Sequence, residues 1–318
     1  MISLRLKRLK IRKNSIKISR RIIQIIAFLI INYIILEAFL PINLISLEGL
    51  TKFLPIQNSP RNPFSNGAGI LEYIFISMAG GAFPFLFIAV LLLVLLFSNR
   101  IFCGWICPIG SIQDLCAAIP TKKKKVRITI HEKILNIKYV FIIIIVLIIF
   151  PLGILINANS SYHFEITFNT PLGDFAEQPI GWFSLSEFIF VFFPHLIQNV
   201  FLPAQFGALE FGGYVILFFY SLLIVLSFWY PRVYCRYICP FAAVSSAVTD
   251  YSFLKLARNP VRCVGRSECG ICEDVCPKQI RILDEPFDFF TGKGECNFCL
   301  ECKEKCPYDA ILIKFGNV

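Results

Sequence analysis

Four cysteines near the carboxyl end of the chain have a spacing that suits iron chemistry. They follow the pattern C-x2-C-x2-C-x3-C-P, and its members are Cys296, Cys299, Cys302, Cys306 and Pro307. Thiolates at this spacing hold a cubane [4Fe-4S] cluster, and the fourth thiolate binds a second cluster where two are present. The pattern therefore predicts another run of cysteines in the same chain.

A second run lies upstream and has one irregular gap. It contains Cys263, Cys269, Cys272, Cys276 and Pro277, and five residues instead of two separate its first two cysteines. In two-cluster ferredoxins the fourth cysteine of each run binds the cluster of the other run. This predicts one cluster on Cys263, Cys269, Cys272 and Cys306, and another on Cys276, Cys296, Cys299 and Cys302. Two zinc sites are the alternative. Zinc usually takes two separated C-x2-C pairs and has no use for the prolines, so the spacing favours iron.

The composition indicates a membrane protein with a small soluble part. Hydrophobic residues make up 56% of the 318 residues and charged residues only 16%, whereas soluble proteins have about 25% charged residues. The mean hydropathy is +0.68. Apolar runs near the length of a membrane span predict spans at about 22–40, 83–99, 138–156 and 213–230.

These spans predict an all-α four-helix transmembrane bundle, built as two parallel repeats of two spans, with a small carboxyl-terminal α+β domain that carries both cluster motifs. The predicted divisions are a basic segment at 1–21, a membrane domain at 22–253 and a ferredoxin domain at 254–318.

The distribution of basic residues predicts which side of the membrane each segment occupies. The counts of Lys and Arg are nine in 1–21, two in 41–82, eight in 100–138, none in 157–213 and twelve in 231–318. Because basic segments stay in the cytoplasm, we expect a multi-pass protein of the cell membrane with both termini inside. All 13 cysteines then lie in the reducing compartment, which argues against a disulfide framework.

A nine-residue repeat places two further pairs of cysteines at the inner ends of the second and fourth predicted spans. The copies, Arg100 to Pro108 and Arg232 to Pro240, agree in residue type at eight of nine positions, and each contains C-x3-C-P. A parallel repeat would bring four thiols together, namely Cys103, Cys107, Cys235 and Cys239. They could hold another iron–sulfur cluster, bind or reduce a soft metal such as copper(I), exchange electrons as thiols and disulfides, or serve only as structural turns. Cys116 has no counterpart in the repeat and is interpreted as a packing residue.

The two C-x3-C-P motifs and the two carboxyl-terminal cysteine runs, taken as a set, resemble the NapH branch of membrane polyferredoxins. That family is related to the membrane parts of NosR and CcoG. The resemblance extends from about Ile22 to Ile313. It implies electron transfer linked to quinol or to the cytoplasm, and it matches the family's C-x3-C-P cysteines to Cys103, Cys107, Cys235 and Cys239.

The sequence thus predicts a membrane-bound iron–sulfur protein that passes single electrons between the membrane, with quinone as the expected partner there, and another redox subunit. The alternative is a copper-reducing or regulatory membrane protein. No acid–base or nucleophilic constellation accompanies the cysteines, so no catalytic residue is assigned and enzymatic activity is left open. The basic residues follow the membrane charge bias without a stacking-aromatic motif, and we expect no nucleic-acid partner.

Overall fold

The fold is described here from a computed structural model of the chain. It describes residues 14–39, 51–65, 67–157, 181, 184–198 and 211–316. Residues 1–13 of the predicted basic segment lie outside this description.

The first half of the described chain is helical. Its helices are α1 (Ser15–Ile31), α2 (Tyr33–Phe39), α3 (Ile70–Ala79), α4 (Phe85–Ser98), α5 (Ile101–Trp105), α6 (Pro108–Ala118), α7 (Ile128–Leu135) and α8 (Ile137–Asn157).

The second half combines helices with a small sheet. Its elements are α9 (Leu185–Glu187), a π-helical turn (Phe188–Phe192), α10 (Phe193–Leu196), α11 (Phe211–Ser227), α12 (Val233–Tyr237), α13 (Pro240–Thr249), β1 (Leu254–Arg258), α14 (Gly265–Glu268), α15 (Ile271–Asp274), a 3-10 turn (Ile282–Asp284), α16 (Glu301–Lys305) and β2 (Ile311–Phe315).

The predicted four-helix transmembrane bundle is wrong. Within the described ranges, one helical stretch, Ile128–Pro151, is long and apolar enough to cross a membrane. Helix α4 has 14 residues and α11 has 17, and at 1.5 Å per residue α4 is only ~21 Å long against a hydrocarbon core of ~30 Å. The described part of the structure therefore does not support the predicted multi-pass topology.

Two of the predicted spans, at 22–40 and 83–99, do not coincide with single helices of the predicted bounds. The predicted span at 22–40 is divided at Asn32, and its helix α1 begins earlier, at Ser15, and buries Arg20. At the end of α4, Asn99 adopts a positive φ of 54° and stops the helix before the first repeat.

Each copy of the repeat folds as a short helix, a turn at the second cysteine and a longer helix. Cys107 and Cys239 have extended backbone at the turn, with ψ of 123° and 119°. The residue before a proline is disfavoured in helical geometry, and proline suits the first turn of a helix. Pro108 and Pro240 accordingly open α6 and α13.

The carboxyl-terminal part is closed by a two-stranded antiparallel sheet. Strands β1 and β2 pair from Leu254 opposite Phe315 to Arg258 opposite Ile311, and the short helices lie between them in sequence. This part packs closely on the helices. A Cβ at Gly294, which has a φ of +73°, would lie 2.0 Å from the carbonyl oxygen of Ser246 in α13. The helices and the cysteine-rich loops therefore meet without intervening side chains.

Candidate metal centres

The first candidate, the outer site, is a cavity of about 370 Å³ lined by Cys263, Cys269, Cys272 and Cys306. All four cysteines are partly exposed. Gly270 turns the chain between two of them with a φ of +108°, a conformation that residues with a side chain rarely adopt. Arg258 also lines the cavity, with its Nη1 3.9 Å from Cys263 Sγ. Cys263 therefore lies with the other three despite its irregular spacing.

The second candidate, the inner site, is a cavity of about 320 Å³ lined by Cys276, Cys296, Cys299 and Cys302. Three of these are buried, and Cys276 is partly exposed. The backbone wraps around the cavity because Phe298 and Leu300 adopt positive φ angles of 50° and 59°. Apolar side chains fill much of the remaining wall; examples are Leu256, Ile282 and Phe290.

The third candidate, the repeat site, is a cavity of about 320 Å³ lined by Cys103, Cys107, Cys235 and Cys239. Four polar side chains complete much of its wall: Gln57, Arg100, Arg232 and Lys278. Gln113 Nε2 lies 3.0 Å from Cys235 Sγ, and Gln57 Oε1 lies 3.6 Å from Cys239 Sγ. The thiols of this site thus meet cations and amides, whereas those of the inner site meet mainly apolar groups.

The three cavities suit clusters better than single ions. A cubane is bound at its corners by thiolates that surround it, whereas a zinc ion draws its sulfur ligands to ~2.3 Å. Within the part of the chain that the structure describes, no three His, Cys, Asp or Glu side chains are grouped so as to hold one metal ion. Each cavity is lined by four cysteines, which is the ligand set that a [4Fe-4S] cluster requires.

Two short segments each contribute a thiol to both the outer and the inner site. Cys272 lies in α15 and lines the outer site, and Cys276 follows the helix and lines the inner site. The arrangement is reversed at α16, where Cys302 lines the inner site and Cys306 the outer site. The two sites are therefore separated by about one helical turn of chain on each side.

The inner and repeat sites are adjacent, although no residue that the structure describes lines both cavities. Gly104, in the first C-x3-C-P motif, approaches the inner-site loop so closely that a Cβ would lie 2.2 Å from Asn297 O. Next to it, Trp105 Nε1 donates a hydrogen bond to Phe298 O at 2.8 Å. From the other direction, Lys278 Nζ donates to Cys235 O at 2.9 Å. The three cavities thus form a series from the outer site through the inner site to the repeat site.

The buried thiols ionise only where strong positive charge compensates them. Burial, with the neighbouring Cys103 and Cys235, raises the pKa of Cys107 to about 12. Burial likewise raises the pKa of Cys296 to about 12, and partial burial raises that of the partly exposed Cys272 to about 11. Metal ligation requires the thiolate, so these donor sets suit a centre whose own charge holds the thiolates.

A buried carboxylate joins the helices to the cysteine-rich loops. Glu295 forms ion pairs with Arg100 Nη1 at 3.2 Å, with Lys278 Nζ at 3.6 Å and with Lys138 of α8. Burial alone would raise the pKa of Glu295, but Lys278, Arg100 and Lys138 together lower it to about 2. Glu295 therefore carries a negative charge beside the inner and repeat sites at neutral pH.

The cations were the part of the site that the sequence analysis did not identify as functional. Arg100 and Arg232 occupy the same position in the two copies of the repeat, three residues before the first cysteine, and this symmetry was the available signal. Lys278 and Gln57 come from distant segments, and only the fold shows that they line the repeat site. Cys116 lines none of the three cavities described above.

A family described as a 4Fe-4S binding domain matches the chain twice, at residues 80–127 and 212–258. Each segment contains one C-x3-C-P motif with the helices on both sides of it. The match therefore falls on the repeat site, and the cysteine runs of the outer and inner sites lie beyond it.

Several known proteins are similar to this chain. An uncharacterised protein of Methanocaldococcus jannaschii is 28% identical over 72% of this chain and 78% of its own length. A putative electron transport protein of Escherichia coli, YccM, is 24% identical over 77% of this chain, which spans 60% of that relative's length. An uncharacterised ferredoxin of M. jannaschii is 43% identical over 17% of this chain and 69% of its own length. No solved structure matches the chain. These similarities support a role in iron–sulfur electron transfer.

Proposed function

This chain contains a segment that belongs to the ferredoxin family, and on that premise we propose that the whole protein is a membrane-associated electron carrier with three [4Fe-4S] clusters. The observation that carries the proposal is the grouping of twelve cysteines around three cavities, four at each. When bound, such clusters accept and release single electrons. The protein's own contribution is to hold them in series.

The series supports a relay and not three independent sites. The outer site is partly exposed, so it suits exchange with a soluble redox partner, whereas the inner site is largely buried. The contact between Gly104 and Asn297 joins the inner site to the repeat site through packed backbone. We therefore assign the repeat thiols to the end of the relay that lies furthest from the soluble partner.

Two observations favour a cluster at the repeat site over copper or a disulfide. It is lined by four cysteines, as the inner site is, and four thiolates are the ligand set of a [4Fe-4S] cluster. The segments that match the 4Fe-4S binding domain are those that supply its four cysteines. We accordingly assign Cys103, Cys107, Cys235 and Cys239 as ligands of the third cluster.

We further infer that the stretch Ile128–Pro151 attaches the protein to the cell membrane. An apolar face of α8 is more than half exposed, at Ile143, Leu147, Phe150 and Ile154. Their spacing of three or four residues places them on one side of the helix, as a lipid contact requires. Helix α8 begins near Lys138, which pairs with Glu295 beside the metal sites. Because basic residues favour the cytoplasmic side, we place the three sites in the cytoplasm.

The proposed partners are a quinone in the membrane and a soluble redox subunit at the outer site, as in a NapH-type polyferredoxin.

The test starts with anaerobic full-length protein in lipid nanodiscs, reduced with dithionite and freed of excess reductant. Reoxidation by a quinone analogue is then followed by the return of cluster absorbance. Wild-type protein and the Cys116→Ser control should reoxidise at the same rate. The double variant Cys103→Ser/Cys235→Ser, which retains the outer and inner clusters, should do so at least tenfold more slowly.

Reoxidation of the double variant at the wild-type rate would refute the relay. Stoichiometric copper at the repeat thiols of protein isolated from cells, with iron confined to the outer and inner sites, would instead support the copper-handling alternative.

A further inference from the structure

Three buried cations line the repeat site. Arg100, Arg232 and Lys278 are 1%, 0% and 3% exposed, and among the described residues no acidic side chain lines the same cavity. The other two sites differ. The described lining of the inner site contains no charged side chain besides its cysteines, and that of the outer site contains one cation, Arg258.

The acids behind these cations do not balance them. Asp114 accepts two hydrogen bonds from Arg232, at 2.7 and 2.6 Å, and Glu295 pairs with the other two cations of the cavity and with a fourth buried cation from α8. The four buried cations are Arg100, Lys138, Arg232 and Lys278. Two carboxylates face these four cations, so positive charge is left over beside the cavity. An uncompensated buried ion is strongly unfavourable, so the cavity suits an anionic occupant.

Cations near the inner site do not remove this contrast. Arg20 Nη1 donates to Cys299 O at 3.1 Å, but its Nη2 pairs with Glu301 at 2.6 Å, which neutralises its charge locally. Arg236 is also buried and donates to Gln279 Oε1; its charge acts on Cys276 of the inner site, but its side chain does not line that cavity.

We propose that the repeat site is the most easily reduced of the three, and hence the end to which electrons flow. This inference rests on the proposed function, because it assumes a cluster at each site. A [4Fe-4S] core of charge 2+ with four thiolates carries two negative charges, and reduction by one electron adds a third. Adjacent cations favour the more negative form, as an opposite charge always favours ionisation of its neighbour. Burial opposes reduction at both the inner and the repeat site, and of these two only the repeat site has cations in its described lining. The described lining of the outer site has one cation, Arg258, against three at the repeat site.

The charge arrangement therefore favours electron transfer from the outer site towards the repeat site. A soluble one-electron donor at the outer site loses one electron, which passes through the inner site and reduces the repeat site by one electron. Arg100, Arg232 and Lys278 act as positioning residues in this scheme: they hold no electron themselves, and they lower the energy of the reduced repeat site.

The test is a redox titration of the full-length protein, followed by electron paramagnetic resonance. The signal of the repeat site is identified as the one that disappears in Cys103→Ser/Cys235→Ser. In the wild type, that signal should appear first as the potential is lowered. Lys278→Gln should lower its midpoint by at least 59 mV, which is a tenfold change in the one-electron equilibrium constant, and should shift the other two signals less. Lys278→Arg, which keeps the charge, should restore most of the wild-type value.

Three clusters with the repeat-site signal appearing last would overturn the inference and leave the proposed function intact. A midpoint that Lys278→Gln leaves unchanged would also overturn it. Protein with eight irons and two cluster signals would overturn the third cluster itself and this inference with it. The wild-type order of reduction decides the question even if a Lys278 variant fails to fold.

Discussion

Replacement of Asp114 by asparagine should strongly destabilise the fold, because this carboxylate ties three segments together. Asp114 in α6 is 4% exposed, and it accepts hydrogen bonds from Arg232, just before α12, and from Gln24 of α1 at 2.8 Å. Arg20 of α1 lies 3.7 Å away. Burial alone would raise the pKa of Asp114, but Arg232 and Arg20 hold it well below its usual range. The group is therefore ionised across the neutral range.

Asparagine keeps the size of the side chain and removes its charge. Loss of one partner from a buried ion pair costs ~3–5 kcal/mol. At ~2–4 °C per kcal/mol, the midpoint of thermal unfolding should fall on the order of 10 °C. The assay is calorimetry of the anaerobic protein in detergent at pH 7. The matched control is Asp284→Asn, whose half-exposed carboxylate pairs with Arg266 and Arg281 and should contribute less than ~1 kcal/mol. Equal effects of the two substitutions would refute the assigned role of the buried network.

Three further predictions concern other parts of the molecule. Burial raises the pKa of Glu72 from 4.5 to about 8. The free energy of unfolding therefore falls as the pH rises from ~4.5 to ~8, because the folded protein must keep this carboxyl group protonated or bury its charge. Glu72→Gln should therefore stabilise the protein by ~3 kcal/mol at pH 7 and by less than ~1 kcal/mol at pH 5, measured by denaturant unfolding; an equal gain at both would contradict the shift. Gly104→Ala should increase amide hydrogen exchange at Phe298 and Cys299 by displacing Asn297, whose carbonyl oxygen lies 2.2 Å from the new Cβ; unchanged exchange would refute this packing. Cys263→Ser should remove the outer-site resonance signal alone, and its persistence would exclude Cys263 as a ligand.

The sequence predicted the parts of the molecule that depend on local spacing. The crossed grouping of the carboxyl-terminal cysteines follows from the two runs, and the cavities are lined by the same groups of four. The turns at Cys107 and Cys239 follow from the prolines after them. The convergence of the four repeat thiols followed from the repeat itself, and it survives although the four-span bundle from which it was argued does not. Their role as ligands stays a prediction.

The sequence could not predict features that depend on distant contacts or on helix ends. Hydropathy counts apolar residues, and it does not register that Asn32 divides one run or that Asn99 ends another in a positive φ. The Asp114 and Glu295 networks join residues separated by as many as 195 positions, as in the pair of Arg100 with Glu295. Taken one at a time in the sequence, such charged residues look like ordinary surface residues or like part of the membrane charge bias. Only the fold reveals that they are buried beside thiols.

The most direct test of the three-cluster account is the iron content of the full-length protein, purified without oxygen. The account predicts about twelve irons per chain in the wild type and in Cys116→Ser, and about eight in Cys103→Ser/Cys235→Ser. Acid-labile sulfide should follow iron in equal amounts, because each cubane contains as many sulfides as irons. Eight irons in all three proteins would contradict the account, since the repeat thiols would then hold no cluster.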